Sequence, residues 1–130
     1  MSENLDLVRS IYADWERGEF RRVDWADPDI EYVALDGPEP GVARGLDGMA
    51  EAWGTFLRTW TGFRATIQAC RSLDDERVLV FAHRTARARR SGLEVGGDGA
   101  DLWHVREGLV TRVIFYWDRD RALADLGLEA

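Results

Sequence analysis

The chain has 130 residues and a mass of 14.8 kDa, which leaves room for one domain with a single hydrophobic core. Hydrophobic residues make up 45% and charged residues 32% of the chain, a globular composition that excludes both disorder and a membrane-embedded protein. The net charge of −7 argues against nucleic-acid binding, because a phosphate backbone requires concentrated positive charge.

Cysteine content and hydropathy indicate the cellular compartment. Cys70 is the only cysteine, so no intrachain disulfide can form, and no His or Cys lies near it at the spacing of metal ligands. Met1 precedes a polar, acidic segment rather than a signal peptide, and no apolar run approaches the roughly 18 residues of a membrane span. We therefore expect a cytoplasmic protein with no membrane partner, and the lack of nucleotide or metal motifs predicts no cofactor.

The aromatic content points to a cavity. Six Trp, three Tyr and five Phe exceed what a small core requires, because an indole ring is bulky and its N–H needs a partner when buried. Aromatic side chains beyond those of the core are typical of a lined ligand pocket. The expected partner is therefore a small hydrophobic molecule.

The first third of the chain predicts one helix and one short strand. Leu5, Val8, Tyr12 and Trp15 recur at helical spacing, with Ser2 as the N-cap and Gly18 as the stop. Residues 20–25 form an aromatic-containing stretch that ends at Asp27-Pro28, where proline keeps its predecessor out of the helical region. Residues 30–33 are typical of a brief strand, and the Gly- and Pro-rich residues 36–41 predict a loop.

A second helix and four strands follow. The helical stripe consists of Leu46, Met49, Trp53, Phe56 and Trp60, and Gly62 ends it. The predicted strands are residues 63–72, 77–90, 93–106 and 109–117. The segments between them, Asp74-Asp75-Glu76, Ser91-Gly92 and Glu107-Gly108, have hairpin-turn compositions that join antiparallel neighbours. Residues 118–126 predict a short helix with an Asp cap and a stop at Gly127.

This order of elements predicts an α+β fold. We expect a cone-shaped α+β barrel in which N-terminal helices pack on a strongly curved, mixed or antiparallel sheet. The Gly-rich residues 96–99 inside the third long strand indicate either a bulge or opening that makes room in the cone, or a hairpin loop that divides the strand. No repeat or low-complexity tract divides the chain, so residues 1–130 are expected to form a single domain.

Several segments resemble the SnoaL-like branch of the nuclear-transport-factor-2-like superfamily. They are Tyr12-Ala-Asp-Trp-Glu-Arg-Gly18, Asp27-Pro-Asp-Ile-Glu-Tyr32, Pro38-Glu-Pro-Gly41 with Arg44-Gly45, and the closing residues 113–126. The resemblance runs nearly end to end and implies the cone-shaped fold. Because the superfamily includes ketosteroid isomerase, polyketide cyclases, epoxide hydrolases, dehydratases and binding domains, the fold does not imply one activity.

The resemblance also implies catalytic positions. Ketosteroid isomerase carries an Asp on its third long strand, a few residues before the hairpin turn, and Asp101 falls at that place. There the carboxylic acid is held protonated and donates to a developing oxyanion. The general base of the isomerase lies on the first short strand, where this chain has Tyr32, or Asp36 if the loop is aligned instead. The epoxide hydrolases resemble one another in an Arg-x-Asp pair, and because the matching strand here reads His83-Arg84-Thr85, that activity is disfavoured.

Strand alternation extends the candidate site. Asp101, Trp103 and Val105 share one strand face, and a carboxyl among indole rings should have a raised pKa because its charged form is poorly solvated. His83 could meet Asp101 across neighbouring strands as an acid/base partner, or it could be an ordinary core or interface histidine. The basic cluster of residues 84–90 predicts a strand with one solvated face, which we favour over a specific anion site because charge runs usually solvate a surface.

Two functions are consistent with these residues. The first is a cofactor-independent acid/base enzyme of the cyclase, isomerase or dehydratase type, acting on a small hydrophobic carbonyl or polyketide-like substrate, with Asp101, His83 and Asp36 as catalytic candidates. The substrate-binding candidates are Tyr12, Trp15, Trp25, Tyr32, Trp53, Trp60, Trp103, Phe115 and Trp117. The second is a non-catalytic ligand-binding or dimerisation module. The resemblance implies a homodimer, for which Arg112, Ile114 and Tyr116 on the outer face of the sheet offer a surface.

Overall fold

The computed structural model describes residues 3–36 and 40–128. Its helices are α1 (Glu3–Glu16), α2 (Gly45–Thr59) and α3 (Arg119–Leu126), and its strands are β1 (Ala26–Ala34), β2 (Gly41–Arg44), β3 (Trp60–Ser72), β4 (Arg77–Ala88), β5 (Glu94–Arg106) and β6 (Leu109–Tyr116). Within these two ranges, none of the helices combines the length and the apolar character needed to cross a membrane.

The strands form one six-stranded sheet in the order β2-β1-β6-β5-β4-β3. β1 and β6 run parallel, and the other neighbouring strands are antiparallel, so the three hairpins predicted from the turn compositions are confirmed. β2 and β3 form the two edges of this sheet, which is therefore open. The predicted α+β cone of helices on a mixed sheet is confirmed, whereas the sheet does not close into a barrel.

The first and last helices end where the sequence predicts. Gly18 follows α1 with φ +78°, a left-handed conformation that glycine adopts without strain. The Asp118 side chain accepts hydrogen bonds from the backbone N–H groups of Asp120 and Arg121 and so caps α3, and Gly127 ends that helix at φ +67°. The predicted N-cap of α1, Ser2, lies outside the described residues.

The main boundary errors lie at the start of β1, which begins at Ala26 rather than at residue 30, and on either side of α2. Helical periodicity extended this helix to Trp60, but α2 ends at Thr59, and Trp60 is the first residue of β3. Gly62, the predicted stop, lies inside β3 at φ +65°, where the register of β3 against β4 shifts. β2 was not predicted, because four residues after a Gly- and Pro-rich segment are too few to show alternation.

The Gly-rich residues 96–99 do not interrupt β5. They pair with β4 in an unbroken register, so the predicted bulge or dividing loop is wrong. A Cβ atom built at Gly99 would overlap the Arg84 guanidinium and the carbonyl oxygen of Tyr116. This glycine therefore provides space for an arginine side chain.

Apolar side chains cover both faces of the sheet. The inner face packs against α1 and α2 in a cluster that includes Trp15, Trp53 and Trp103. On the outer face Ala122 of α3 packs in a second cluster, which contains Ile114 and Tyr116. Because these two residues are buried within their own chain, they do not offer the exposed dimer surface that the sequence predicted. The homodimer itself stays a prediction.

Candidate functional site

A cavity of about 470 Å³ is lined by residues of β1, β2, α2 and the inner face of the sheet. Its aromatic lining residues are Tyr32, Trp53, Phe56, Phe63, Phe115 and Trp117, and its small ones are Ala34, Gly41, Ala43, Gly48 and Ala52. Two charged residues, Arg84 and Glu51, also line it. A mostly apolar cavity of this size with a few polar groups is typical of a small-molecule site. In the part of the chain that the structure describes, no three His, Cys, Asp or Glu side chains are grouped as metal ligands.

Arg84 supplies a buried positive charge to the cavity wall. Alternation along β4 places it on the inner face between two buried alanines, with 3% of the residue exposed. Its Nη2 donates to the carbonyl oxygen of Tyr116 at 2.5 Å, and the guanidinium carbon lies 5.1 Å from the centre of the Trp117 ring. The Nε atom has no hydrogen-bond partner among residues 3–36 and 40–128. Nε is thus a buried donor that no described residue satisfies, while the Arg84 side chain as a whole lines the cavity.

Asp101 is paired with Arg84 but does not line the cavity. It is 1% exposed, and its Oδ1 lies 3.0 Å from Nη2 of Arg84, an ion pair without hydrogen-bond alignment. Its Oδ2 accepts a hydrogen bond from the Tyr12 hydroxyl, which in turn accepts one from Nε1 of Trp103 at 3.1 Å. Burial raises the pKa of Asp101 above its usual 3.8, and the nearby Arg84 opposes this shift.

The pKa of Tyr12 explains its role as a donor. Burial and the negative charge of Asp101 raise the pKa of Tyr12 well above its usual 10.0, so the hydroxyl keeps its proton. The buried chain Trp103, Tyr12, Asp101 and Arg84 thus joins α1, β5 and β4. Its last member is the group that reaches the cavity.

The structure does not bring His83 to Asp101. His83 lies on the outer face of β4, where its side chain is 51% exposed and its Nδ1 is 2.8 Å from Oδ1 of Asp98. Asp101 faces the inner side and pairs in register with Val80. The predicted meeting of His83 and Asp101 is wrong, because adjacent residues of a strand face opposite sides and the inner position belongs to Arg84.

The sequence offered Tyr32 or Asp36 at the position of the isomerase general base, and of these two residues only Tyr32 lines the cavity. Its ring centre lies 5.2 Å from that of Phe115. The carboxylate of Asp36 accepts hydrogen bonds from the backbone N–H groups of Trp117 at 2.6 Å and Asp118 at 3.4 Å. Asp36 therefore holds the segment that leads from β6 into α3.

The predicted aromatic binding residues divide into two groups. Those that line the cavity are Tyr32, Trp53, Phe115 and Trp117, and those that are buried without lining it are Tyr12, Trp15, Trp25, Trp60 and Trp103. Trp15 connects the groups, since its ring centre is 5.2 Å from that of Trp53 and 5.9 Å from that of Trp103. The aromatic surplus thus forms the cavity wall and the layer that supports it.

Sequence reasoning missed the two charged residues of the cavity. Arg84 was grouped with neighbouring arginines on a solvated face, although Ala82 and Ala86, the positions of the same parity, are apolar. Glu51 belongs to the helical stripe of Gly48, Glu51, Ala52 and Thr55, which lines the cavity. Small residues at that spacing were the available signal for a helix face that borders an open space.

The chain belongs to the SnoaL-like domain family, which matches residues 8–113. This result and the fold confirm the resemblance seen in the sequence. No curated protein matches the chain as a relative.

Similar solved structures have the same fold. An NTF2-like protein from Burkholderia thailandensis E264 is 20% identical, with 97% of this chain and 98% of that chain covered and a TM-score of 0.80. TerC, co-crystallised with polyporic acid, is 23% identical, with coverage of 96% and 98% and a TM-score of 0.76. A Catenulispora acidiphila DSM 44928 protein with a ketosteroid isomerase-like fold, in complex with trimethylamine, is 16% identical, with coverage of 99% and 96% and a TM-score of 0.72. Identities this low show the shared fold alone.

Proposed function

We propose that this SnoaL-like domain is a cofactor-independent acid/base enzyme of the cyclase, isomerase or dehydratase type. Its substrate is a small hydrophobic carbonyl or polyketide-like compound bound in the cavity. The observation that carries the proposal is the buried side chain of Arg84, which lines an otherwise largely apolar cavity and is held there by Asp101 and the Tyr116 carbonyl oxygen. In such surroundings a fixed donor stabilises a developing oxyanion far more strongly than water-exposed donors do.

The proposed reaction begins with proton transfer from carbon. Glu51, the one carboxylate that lines the cavity among the described residues, takes a proton from the carbon next to the carbonyl group. The electron pair of that C–H bond forms a carbon–carbon double bond, and the carbonyl electrons move to oxygen, where Arg84 stabilises the enolate. In a β,γ-unsaturated ketone, Glu51 returns the proton to the γ carbon as the double bond moves into conjugation with the carbonyl group. In a cyclisation, the enolate carbon attacks a second carbonyl group of the substrate, whose oxygen takes the electron pair and then the proton from Glu51.

The other residues bind and position. Trp53, Phe115 and Trp117 provide apolar contacts for the substrate body and exclude water from the reacting atoms. Asp101, which the sequence suggested as an acid/base group, acts in this proposal as a positioning residue, because it contacts Arg84 and does not line the cavity. Tyr12 positions Asp101 in turn.

Exchange of carbon-bound protons tests this function. We expect the wild type to accelerate exchange of the methyl protons of methyl naphthyl ketone with deuterated water, measured by NMR. Replacing Glu51 by Gln should reduce the enzymatic rate by roughly a hundredfold or more, since general base catalysis typically contributes that much. Replacing Arg84 by Met removes the proposed oxyanion donor and should also slow the exchange. Arg87→Met is the matched control for this variant, because Arg87 lies on the same strand with its side chain exposed and paired with Glu94. An exchange rate unaffected by both Glu51→Gln and Arg84→Met contradicts the proposal.

A second candidate is a ligand-binding module without catalysis. It is favoured by the position of Asp101, because the most deeply buried carboxyl in the site is not at the cavity surface. Binding of the ketone without acceleration of exchange supports this alternative. The bound molecules named for the neighbouring structures, polyporic acid and trimethylamine, differ in chemistry, so the fold alone does not select a ligand class.

A further inference from the structure

We propose that the cavity selects ligands with an uncharged carbonyl group over carboxylates, and that Asp101 is the residue that sets this preference. The inference rests on the proposed function, in that the ligand oxygen is the acceptor for Arg84. It adds a substrate class, neutral ketones or aldehydes, and a specificity-determining residue that does not touch the ligand.

Arg84 is surrounded by groups that compensate its charge. Asp101 is the carboxylate in contact with the guanidinium, and both side chains are almost completely buried, so the charges of Arg84 and Asp101 offset each other. Tyr12, which donates a hydrogen bond to Asp101, is uncharged because its hydroxyl retains its proton. Arg119 also acts on Asp101, but it lies on the outer side of the sheet, donates to the carbonyl oxygen of Gly99 and is only partly buried. The buried Arg84–Asp101 pair behind the cavity wall therefore carries no net charge.

A neutral buried pair favours a neutral acceptor. A carbonyl oxygen can approach the guanidinium and gains from the dipole of the Arg84–Asp101 pair without bringing a charge out of water. A carboxylate at the same place loses its hydration, and its attraction to Arg84 is offset by its repulsion from Asp101. Glu51, the other charged residue that lines the cavity, is acidic and adds a weaker repulsion, because the residue is exposed and solvent screens its charge.

The same arrangement permits an enolate formed inside the cavity. When Glu51 takes the proton of the substrate, it loses its negative charge as the enolate gains one, so the total charge of the site does not change. An anion that enters from water adds a charge instead. Selection against carboxylates is therefore compatible with stabilisation of the intermediate.

Two probes of nearly equal shape isolate the charge of the ligand. Methyl naphthyl ketone and naphthoate, substituted at the same ring position, differ mainly in a methyl group against a charged oxygen. Isothermal titration calorimetry at neutral pH should show that the wild type binds the ketone at least about tenfold more tightly than naphthoate, a conservative figure for a buried and uncompensated charge. This comparison requires no variant.

Replacing Asp101 by Asn should remove the preference. The substitution leaves Arg84 with an uncompensated positive charge, so naphthoate should gain at least about tenfold in affinity relative to the ketone. Asp98→Asn is the matched control, because it removes the same charge from an exposed side chain on the outer face. It should leave both affinities unchanged.

The outcomes separate this inference from the proposed function. If the ketone binds but naphthoate binds the wild type equally well, the selectivity is wrong and the ligand site stands. If Asp101→Asn and Asp98→Asn change the ratio of affinities equally, the effect is long-range charge, and the role of Asp101 is wrong. If Asp101→Asn does not fold, the wild-type ratio still decides the ligand class. If neither probe binds the wild type, both the ligand site and the selectivity are overturned.

Discussion

Arg84 and Asp101 are difficult to explain by stability alone. A buried ion pair stabilises a fold weakly, because the loss of hydration offsets the attraction between the charges, and hydrophobic residues in its place often serve as well. Removing one partner, in contrast, costs about 3 to 5 kcal/mol, because the other charge is left buried and unpaired. In this pair Tyr12 holds Asp101, and Arg84 lines the cavity. The pair is better explained by a need for a fixed guanidinium at the cavity wall.

The ionisation of Asp101 should be visible in the stability of the protein. Burial raises its pKa in the folded chain above 3.8, so folding favours the protonated carboxyl. The resulting stabilisation is complete below pH 3.8 and is lost as the pH rises through the raised pKa. We expect the free energy of unfolding of the wild type minus that of Asp101→Asn to fall with rising pH and then to level off. Urea denaturation at a series of pH values measures this difference.

Asp98→Asn provides a control of opposite sign. The hydrogen bond from His83 lowers the pKa of Asp98 below 3.8, so its contribution to stability is present above that value and is lost as the pH falls. The difference between the wild type and Asp98→Asn should therefore rise with pH. If the two differences in unfolding free energy change with pH in the same direction, the account of Asp101 is contradicted. The proposed selectivity for ketones requires an ionised Asp101 beside Arg84. The difference between the wild type and Asp101→Asn must therefore have levelled off by neutral pH.

Single side chains show where sequence reasoning succeeds and where it stops. Alternation correctly put Asp101 and Trp103 on one face of β5, and that face is the inner one. On β4 the same rule separates His83 from Arg84, but the inner face was assigned to the histidine. The charge of Arg84 argued for solvent, and the residue that compensates it, Asp101, lies on another strand. Pairing between strands was therefore the missing information.

At the scale of elements, the hairpin strands were predictable and the segments around α2 were not. The four long strands begin and end within three residues of their predicted bounds, because turn compositions separate them and the periodicity changes from 3.6 to 2. Trp60 fits the apolar stripe of α2 as well as the first position of β3, so periodicity cannot place the boundary. β2 is defined by its pairing with β1 rather than by a pattern of its own.

Gly99 shows that a small residue within a strand can serve a side chain on the neighbouring strand. We expect Gly99→Ala to lower the free energy of unfolding by about 1 to 3 kcal/mol, because the new methyl group would overlap the Arg84 guanidinium and the Tyr116 carbonyl oxygen. It should also weaken binding of the ketone by displacing the guanidinium. Urea denaturation and calorimetry measure the two effects.

Gly41→Ala, in β2, is the stability control for Gly99→Ala. A Cβ atom at Gly41 has no neighbour within 4 Å, and this strand glycine has no positive φ. Its replacement should change stability by less than about 0.5 kcal/mol, as for an ordinary surface substitution. If Gly99→Ala is as stable as Gly41→Ala, Arg84 does not require the space at Gly99.

At the scale of the whole molecule, helices pack on both faces of the sheet, and the cavity lies where α2 and β2 meet its inner face. α1 and α2 pack on the inner face and α3 on the outer one. The small residues of α2 and β2 leave the space that the aromatic residues line. The aromatic surplus of this short chain is thus divided between a packed core and an open cavity. Composition alone could indicate the cavity but could not locate it.

Filling the cavity should separate binding from folding. Ala52 of α2 lines the cavity, so Ala52→Phe places a ring in open space instead of in packed core. We expect binding of methyl naphthyl ketone to weaken by more than about tenfold, while the free energy of unfolding changes by less than about 1.5 kcal/mol, since a space that is not packed tolerates added volume. Ala50→Phe, at an exposed position of the same helix, controls for the cost of a bulky ring in α2 and should leave binding unchanged. A loss of several kcal/mol in Ala52→Phe but not in Ala50→Phe would mean that this region behaves as close-packed core and holds no ligand.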